Sequence, residues 1–231
     1  IIDIGGESSR PGSIPIDEET EIQRICPIIE KIAKNITIPI SVDTYKSAVA
    51  EAAIQAGATI INDIGGLQKD MKMAHLAAAT NTQVVIMHMK GNPTTMQEKP
   101  HYKNIIQEIY SFLETSINLA LQKGIKKDKI IIDPGIGFGK TIEDNYKVLQ
   151  NLETFKTLGV KILIGLSRKS LIGNLYKTHK MYSPDTVDRL PGSLALNIFS
   201  ILKGASIIRV HDVKEHRLAL DCFKMLQKET K

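Results

Sequence analysis

The 231-residue chain carries 30 Lys and Arg against 25 Asp and Glu, a net charge of +5, with five Phe, six Tyr, no Trp and two Cys. Basic residues with so few interleaved aromatics argue against a nucleic-acid surface, and no apolar run approaches the roughly 20 residues that span a bilayer. Cys26 and Cys222 stand far apart outside any CxxC pair, which suits free thiols in a reducing cytoplasm, and the basic excess suits an anionic small molecule.

Seven short apolar runs follow in chain order, at Ile1–Ser9, Ile38–Tyr45, Ala58–Gly66, Val84–Lys90, Lys129–Lys140, Lys161–Ser170 and Ala205–Val213, and each ends in polar residues. Short buried strands spaced by helical stretches describe parallel βαβ units, in which ligands bind at the carboxyl ends of the strands. The predicted helices are Asp17–Asn35, Lys46–Ala56, Met71–Thr80, Lys103–Lys123, Ile142–Leu158, Asp185–Lys203 and Val213–Lys228. Acidic residues open the first of these, and Pro27 is placed to kink it. Gly57, Gly124, Gly159 and Gly204 each follow a helix where a left-handed cap is wanted. Gly91–Tyr102 and Lys177–Ser183 read as loops.

The expected fold is a single α/β domain over residues 1–231, a TIM (β/α)8 barrel in which seven strands are visible. The chain starts at Ile1, inside a strand and without Met, so the first βα unit is expected upstream. A barrel so opened exposes two strand edges, and catalysis by this chain alone is expected to suffer.

The strand ends carry the chemistry. Asp43, Asn62 and Asp133 offer acceptors and one amide at three of them, a set that suits a heterocycle presenting an amino and ring N–H edge. A lone Asp before a Gly-rich turn serves equally well as a cap. Pro134–Thr141 (PGIGFGKT) ends like a nucleotide-binding loop, but Pro134 replaces its first Gly and has no N–H to donate. Its glycines are expected to let the backbone pass close to a flat ligand. Ser167–Ser170 (SRKS) puts two cations and two hydroxyls at another strand end, although a Lys there can simply pair with a surface carboxylate. Arg209 and His211 lie two apart on the last strand and point the same way, which favours an anion. Met87 and Met89, flanking His88, read as core or as the wall of an apolar ring pocket. No His pair has metal-ligand spacing, and no Ser or Cys has an adjacent base, so no protein nucleophile is indicated.

Six segments in order, Asp3–Gly12 (DIGGESSRPG), Ser41–Lys46, Ile61–Gly66, Asp133–Lys140, Ser167–Ser170 and Arg209–Val213 (RVHDV), resemble the dihydropteroate synthase family of pterin-binding barrels. The resemblance implies condensation of 6-hydroxymethyl-7,8-dihydropterin diphosphate with p-aminobenzoate, with Mg²⁺ assisting. It implies catalytic roles for Asp43, Lys169 and Arg10, and a pterin slot of Asp43, Asn62, Met87, Asp133, Phe138, Gly165, Lys169 and Arg209. Arg209, His211 and Ser9 would hold the diphosphate, while Arg10, Pro11 and Ser170 would meet p-aminobenzoate. It also implies that the Asn contacting the metal lies upstream of Ile1, with no metal ligand in this chain, and that the protein is a cytoplasmic homodimer. Two other readings compete with this one. A pterin-binding methyltransferase acting on a folate and a corrinoid would share Asp43, Asn62 and Asp133 but has no use for Lys169, Arg209 and His211; a non-catalytic pterin-binding barrel would bind without releasing pyrophosphate.

Overall fold

The computed structural model describes residues 1–9, 12–92, 94–96, 98, 100–178 and 189–227. Among them, seven parallel strands lie side by side in sequence order: β1 (Ile2–Ile4), β2 (Ile40–Asp43), β3 (Ile60–Asp63), β4 (Gln83–Met87), β5 (Ile130–Asp133), β6 (Lys161–Gly165) and β7 (Ile207–Arg209). The crossovers are α1 (Glu18–Ala33), α2 (Ser47–Gln55), α3 (Met71–Ala79), α4 (Ile105–Gln122), α5 (Ile142–Gln150), and α6 (Ser170–Thr178) with α7 (Leu190–Leu202); α8 (Val213–Gln227) follows β7. This is the wall of a TIM barrel, as expected. β1 and β7 end the sheet. Even so, Arg209 at the end of β7 reaches Asp3 on β1 at 2.6 Å, so the sheet rolls far enough round to bring its two edges within reach of one side chain.

The strand register sorts every side chain to one of two sides. Val42, Ile61, Val84, Ile86, Ile130, Ile132, Ile162 and Ile164 point outward into the large core shared with the helices. The alternate residues Ile60, Val85, Ile131, Leu163 and Ile207 form a separate apolar plug inside the barrel. The cross-strand pairs join residues of like parity, as in Asn62 with Val85, Val85 with Ile131 and Leu163 with Ile207. Two residues beyond each plug residue, on the same side, come Asn62, Met87, Asp133, Gly165 and Arg209, and Asp43 stands two beyond Ser41. The alternation of an extended strand therefore lifts the expected residues into one layer at the barrel mouth.

The helices form largely where their end signals lie. Asp17 caps α1 by accepting from Thr20 N at 2.7 Å, with Glu18, Glu19 and Glu21 in the first turn. α1 runs on through Pro27, which removes one backbone bond without ending the helix. The helix predicted over Ile142–Leu158 divides in two. Thr141 and Asp144 form a capping box for α5, which stops at Gln150, and a 3₁₀ stretch follows over Leu152–Leu158. That stretch buries Leu152, Phe155 and Leu158, whose spacing of three matches three residues per turn and not 3.6. α7 begins at Leu190 with Pro191 in its first turn; residues 185–188 of the predicted helix lie outside the described residues. Lys177 and Thr178, expected in a loop, end α6 instead, while residues 179–183 lie outside the described residues.

Candidate active site

The layer above the plug is a charged mouth. Arg209 donates from Nε to Asp3 Oδ2 at 2.6 Å and from Nη2 to Asp43 Oδ2 at 3.3 Å. Asn62 Nδ2 donates to the same Asp3 oxygen at 3.3 Å. Three strands, β1, β2 and β7, are thus tied by one guanidinium, whose side chain stays 47% exposed while the Asp43 side chain is 14% exposed. Burial and the neighbouring Asp3 charge raise the Asp43 carboxyl to about 7, against the opposing pull of Arg209. Burial acts first on Arg209 too, lowering its affinity for the proton, but Asp3 and Asp43 outweigh it and hold the charge more tightly than usual.

Lys169 enters from the loop after β6. Its Nζ donates to Ile136 O and lies 4.5 Å from the centre of the Phe138 ring. Burial lowers it to about 8, opposed by the charges of Asp133 and Asp43. Its entry depends on a strained turn, in which Arg168 adopts φ 58°. The Arg168 N–H donates to Ser193 Oγ, its carbonyl accepts from Arg189, and its guanidinium pairs with Asp212. Of the two cations expected from SRKS, only Lys169 faces the mouth. Arg168 is committed to the start of α8. Ser170 begins α6, a helix absent from the predicted set.

Asp133 caps a turn from a position at the mouth. Its Oδ1 caps the following turn by accepting from Gly135 N at 2.7 Å, while its position places the carboxylate in the mouth; burial raises its pKa despite Lys169. The glycines after it serve packing within the protein. At Gly135 (φ +71°) an added Cβ would lie 1.9 Å from His88 O, and at Gly139 (φ +62°) one would lie 2.3 Å from Lys90 O. These two let the loop press against the backbone after β4, while Gly137 (φ +83°) lies against the Lys169 side chain, where an added Cβ would be 3.2 Å from Cδ. Lys140, only 2% exposed, then knots the loop from inside through Gly135 O (2.8 Å), Phe138 O (3.1 Å) and His88 Nδ1 (3.0 Å). Burial brings it to about 7, and burial with the Lys140 and Lys90 charges holds His88 near 2. The lysine that imitates a nucleotide loop is structural.

Met87 belongs with Ile64, Met89 and Met96 to an apolar cluster against which Tyr45 and Phe138 pack, a wall beside the charged groups. Gly165 pairs with Arg209 in the sheet. His211 is exposed, and its N–H and Nδ1 approach Ser167 Oγ at 3.2 and 3.1 Å. Ser9 is half-buried; Arg10 and Pro11 lie outside the described residues. The sequence reading missed Asp3 as a site residue. Its only signal was a carboxylate two residues along β1, and its partners Asn62 and Arg209 are 59 and 206 residues away. Among the described residues, no group of three or more His, Cys, Asp or Glu side chains can hold a metal ion. One Asp3 oxygen is buried without a hydrogen-bond partner among the described residues, which falls short of a metal cage.

A profile of the pterin-binding enzymes matches residues 1–211, and the chain belongs to that family. Over 220 residues it is 46% identical to the dihydropteroate synthase of Clostridium beijerinckii, covering 95% of this chain and 77% of that one. It is 44% identical to the Escherichia coli dihydropteroate synthase over 93% of this chain and 74% of that one. Its structure superposes on that of Yersinia pestis dihydropteroate synthase in complex with a sulfonamide drug, with TM-score 0.92, 39% identity, and 98% and 80% of the two chains covered. It also superposes on the Thermus thermophilus dihydropteroate synthase bound to 4-aminobenzoate, with TM-score 0.88, 39% identity, and 97% and 83% covered. Within the family it falls among the dihydropteroate synthases, which are transferases.

The raised Asp43 carboxyl has a consequence for stability. Its folded value near 7 exceeds the ordinary 3.8, so the folded state binds this proton more tightly; the stabilisation is full below about pH 4 and fades as pH rises through 7. The melting temperature of Asp43→Asn relative to the native protein should therefore rise between pH 4 and pH 8. A difference that is constant across that range would contradict the shift.

Proposed function

We propose that the mouth layer is the pterin site of a dihydropteroate synthase, with each side chain in a defined role. The single observation that carries this reading is the register, which sets Asn62, Met87, Asp133, Gly165 and Arg209 two residues above one apolar plug and Asp43 two above Ser41, the neighbour of Ile60 in the sheet. Asp133 would accept from the amino and ring N–H edge of the pterin. Asn62 and Asp43 would complete recognition from the far side, and Lys169 would donate to the ring acceptors. Met87, Phe138 and Gly165 form the walls. The half-exposed guanidinium of Arg209 would lie against the ring and, with His211 and Ser9, hold the diphosphate. Arg10, Pro11 and the helix start at Ser170 would meet the carboxylate of p-aminobenzoate.

The chemistry follows without a protein nucleophile. The methylene C–O bond breaks, its electron pair leaves on the diphosphate, and the resulting cation is delocalised into the electron-rich dihydropterin. The ionised Asp43 beside the ring stabilises that charge. The neutral arylamine then attacks, a C–N bond forms and the amine proton is lost. Mg²⁺ would supply charge neutralisation on the diphosphate, but the described residues form no cage for it, and no step above is routed through it. The reading places the enzyme in the cytoplasm; among the described residues, no helix is long and apolar enough to cross a membrane.

The reading also includes a homodimer. α7 turns Ser193, Asn197 and Ser200 inward and leaves Phe199 and Leu202 at the surface, beside an α8 that exposes Leu218 and Met225. Sedimentation at micromolar concentration should give twice the chain mass, and a monomer there would remove this part of the reading.

Pyrophosphate release from the pterin diphosphate with Mg²⁺ should require p-aminobenzoate. Asp43→Ala should lower kcat by about 100-fold, the scale of losing one electrostatic stabiliser, with a smaller loss of pterin affinity. Release without any need for the arylamine, or equal losses in turnover and pterin binding, would contradict the assignment.

A further inference from the structure

The buried lysine that closes the loop after β5 has a histidine partner that no step above uses. Lys140 Nζ donates to Gly135 O at 2.8 Å, to Phe138 O at 3.1 Å and to His88 Nδ1 at 3.0 Å. An ammonium has three N–H groups, and here each meets an acceptor. For Nδ1 to accept, the His88 ring must be neutral with its proton on Nε2. Burial, with the Lys140 and Lys90 charges, keeps it so. The ring is itself buried, edge-on to Phe112 with centroids 4.9 Å apart.

His88 holds Asp133 through the backbone as well. Its N–H donates to Asp133 O at 2.9 Å, and its carbonyl is the atom against which Gly135 packs. Gly135 joins the two side chains directly, with its N–H on Asp133 Oδ1 at 2.7 Å and its carbonyl on Lys140. Further along, Gly137 N donates to Asn145 Oδ1 at 2.6 Å, and Gly139 O accepts from the Tyr102 hydroxyl at 2.7 Å. Asp133 therefore stands over a bonded floor with the Lys140 charge inside it.

That charge matters to a carboxylate that is to accept from two N–H groups. Only the ionised form offers acceptors on both oxygens and carries no proton of its own, while burial favours the protonated form. Lys169, the Gly135 N–H, Lys140 and Arg209 oppose burial, in that order. In the proposed site Lys169 and Arg209 also turn to the ligand, one to its ring acceptors and the other to its diphosphate. Lys140 has all three protons committed, so its charge stays with Asp133. The other charges acting on Lys140 are Lys169 and Asp144; burial brings it to about 7, and it is charged through the acid range in which a carboxylate titrates.

We propose that Lys140 and His88 are positioning residues for pterin recognition: the ammonium, its cage completed by the imidazole, keeps Asp133 ionised and aimed at the mouth. The proposal rests on the reading of Asp133 as the acceptor of the pterin N–H edge.

The test is calorimetric affinity for 6-hydroxymethyl-7,8-dihydropterin, the free alcohol, followed as pH falls from neutrality. Without the diphosphate, its contacts drop out of the comparison, and the titration of the ligand is common to all variants. Removing a cation beside a carboxylate raises the carboxylate pKa. Lys140→Met should therefore move the midpoint of the acid-side loss of affinity up by about one pH unit, the low end of what one neighbouring charge does. His88→Phe keeps a ring against Phe112 but removes the acceptor, and should move the midpoint the same way by less. His88→Asn, whose amide oxygen can stand in for Nδ1, should restore the native midpoint. An unmoved midpoint in both Lys140→Met and His88→Phe would overturn the proposal, as would an equal loss of affinity at every pH, which a merely structural role produces. Equal shifts in His88→Phe and His88→Asn would overturn the role given to His88. Should Lys140→Met fail to fold, the two His88 variants decide alone. Asp133→Asn separates this proposal from the reading beneath it: lost affinity there, with native midpoints in the other variants, defeats only the positioning pair, whereas native affinity in Asp133→Asn defeats the assignment of Asp133 itself.

Discussion

The site depends on one guanidinium. Without Arg209 the barrel mouth would hold Asp3, Asp43 and Asp133 against Lys169, with Lys140 acting on Asp133 from beneath. Two like charges 4 Å apart repel by about 4 kcal/mol at the effective dielectric near a protein surface. Arg209 bonds two of these carboxylates at once and is itself carried on the strand opposite them. Its planar, always-charged fork suits that double duty in a way that an ammonium would not. Because it comes from β7 and ends on β1 and β2, the same contact that balances the charge also bridges the two edges of the sheet. Barrel curvature and site electrostatics are therefore one constraint.

Around that centre, two loops are held by the same device, a lysine used as a knot, buried at Lys140 and half-buried at Lys46. Lys140 gathers Gly135 O and Phe138 O beneath Asp133, and Lys46 gathers Ile16 O with Glu7 beneath the loop after β1. An ammonium has three donors and no acceptor, which suits it to collecting carbonyls and carboxylates at the base of a turn. The cost is desolvation, visible in Lys140 at about 7. The gain is that Asp133, Ile136 O and Phe138 stand at fixed positions for Lys169 and a ring to meet. Pre-organisation of this kind is what electrostatic stabilisation of a developing cation requires.

Much of this was legible in the residues. A strand alternates sides every residue, so apolar runs ending in Asp43, Asn62, Asp133 and Arg209 already implied one polar layer above one apolar layer. Pairing between distant segments was not legible, because it depends on how the sheet rolls up. Asp3 meets Arg209 across 206 residues, and no local period encodes that contact. The Gly-rich loop was only partly legible for a related reason. Glycine reports that something comes close, but that Gly135 and Gly139 meet His88 O and Lys90 O is decided by packing. Arg168 and Lys169 are neighbours of equal charge in sequence, and only the left-handed turn at Arg168 sends one to Asp212 and the other to the mouth. The 3₁₀ stretch at Leu152–Leu158 was readable from its spacing of three apolar residues, a period close enough to 3.6 to be taken for more helix.

The measurement that bears most directly on the central role of Arg209 is a double-mutant cycle of Asp3→Asn and Arg209→Met, read out as calorimetric affinity for the pterin diphosphate. If the guanidinium is positioned by Asp3, the two losses will be strongly non-additive, with a coupling of about 1.5 kcal/mol or more, as for residues sharing one ion-pair network. Losses that simply add would mean that Arg209 meets the ligand independently of Asp3, and that the contact bridging β7 and β1 is incidental to the site.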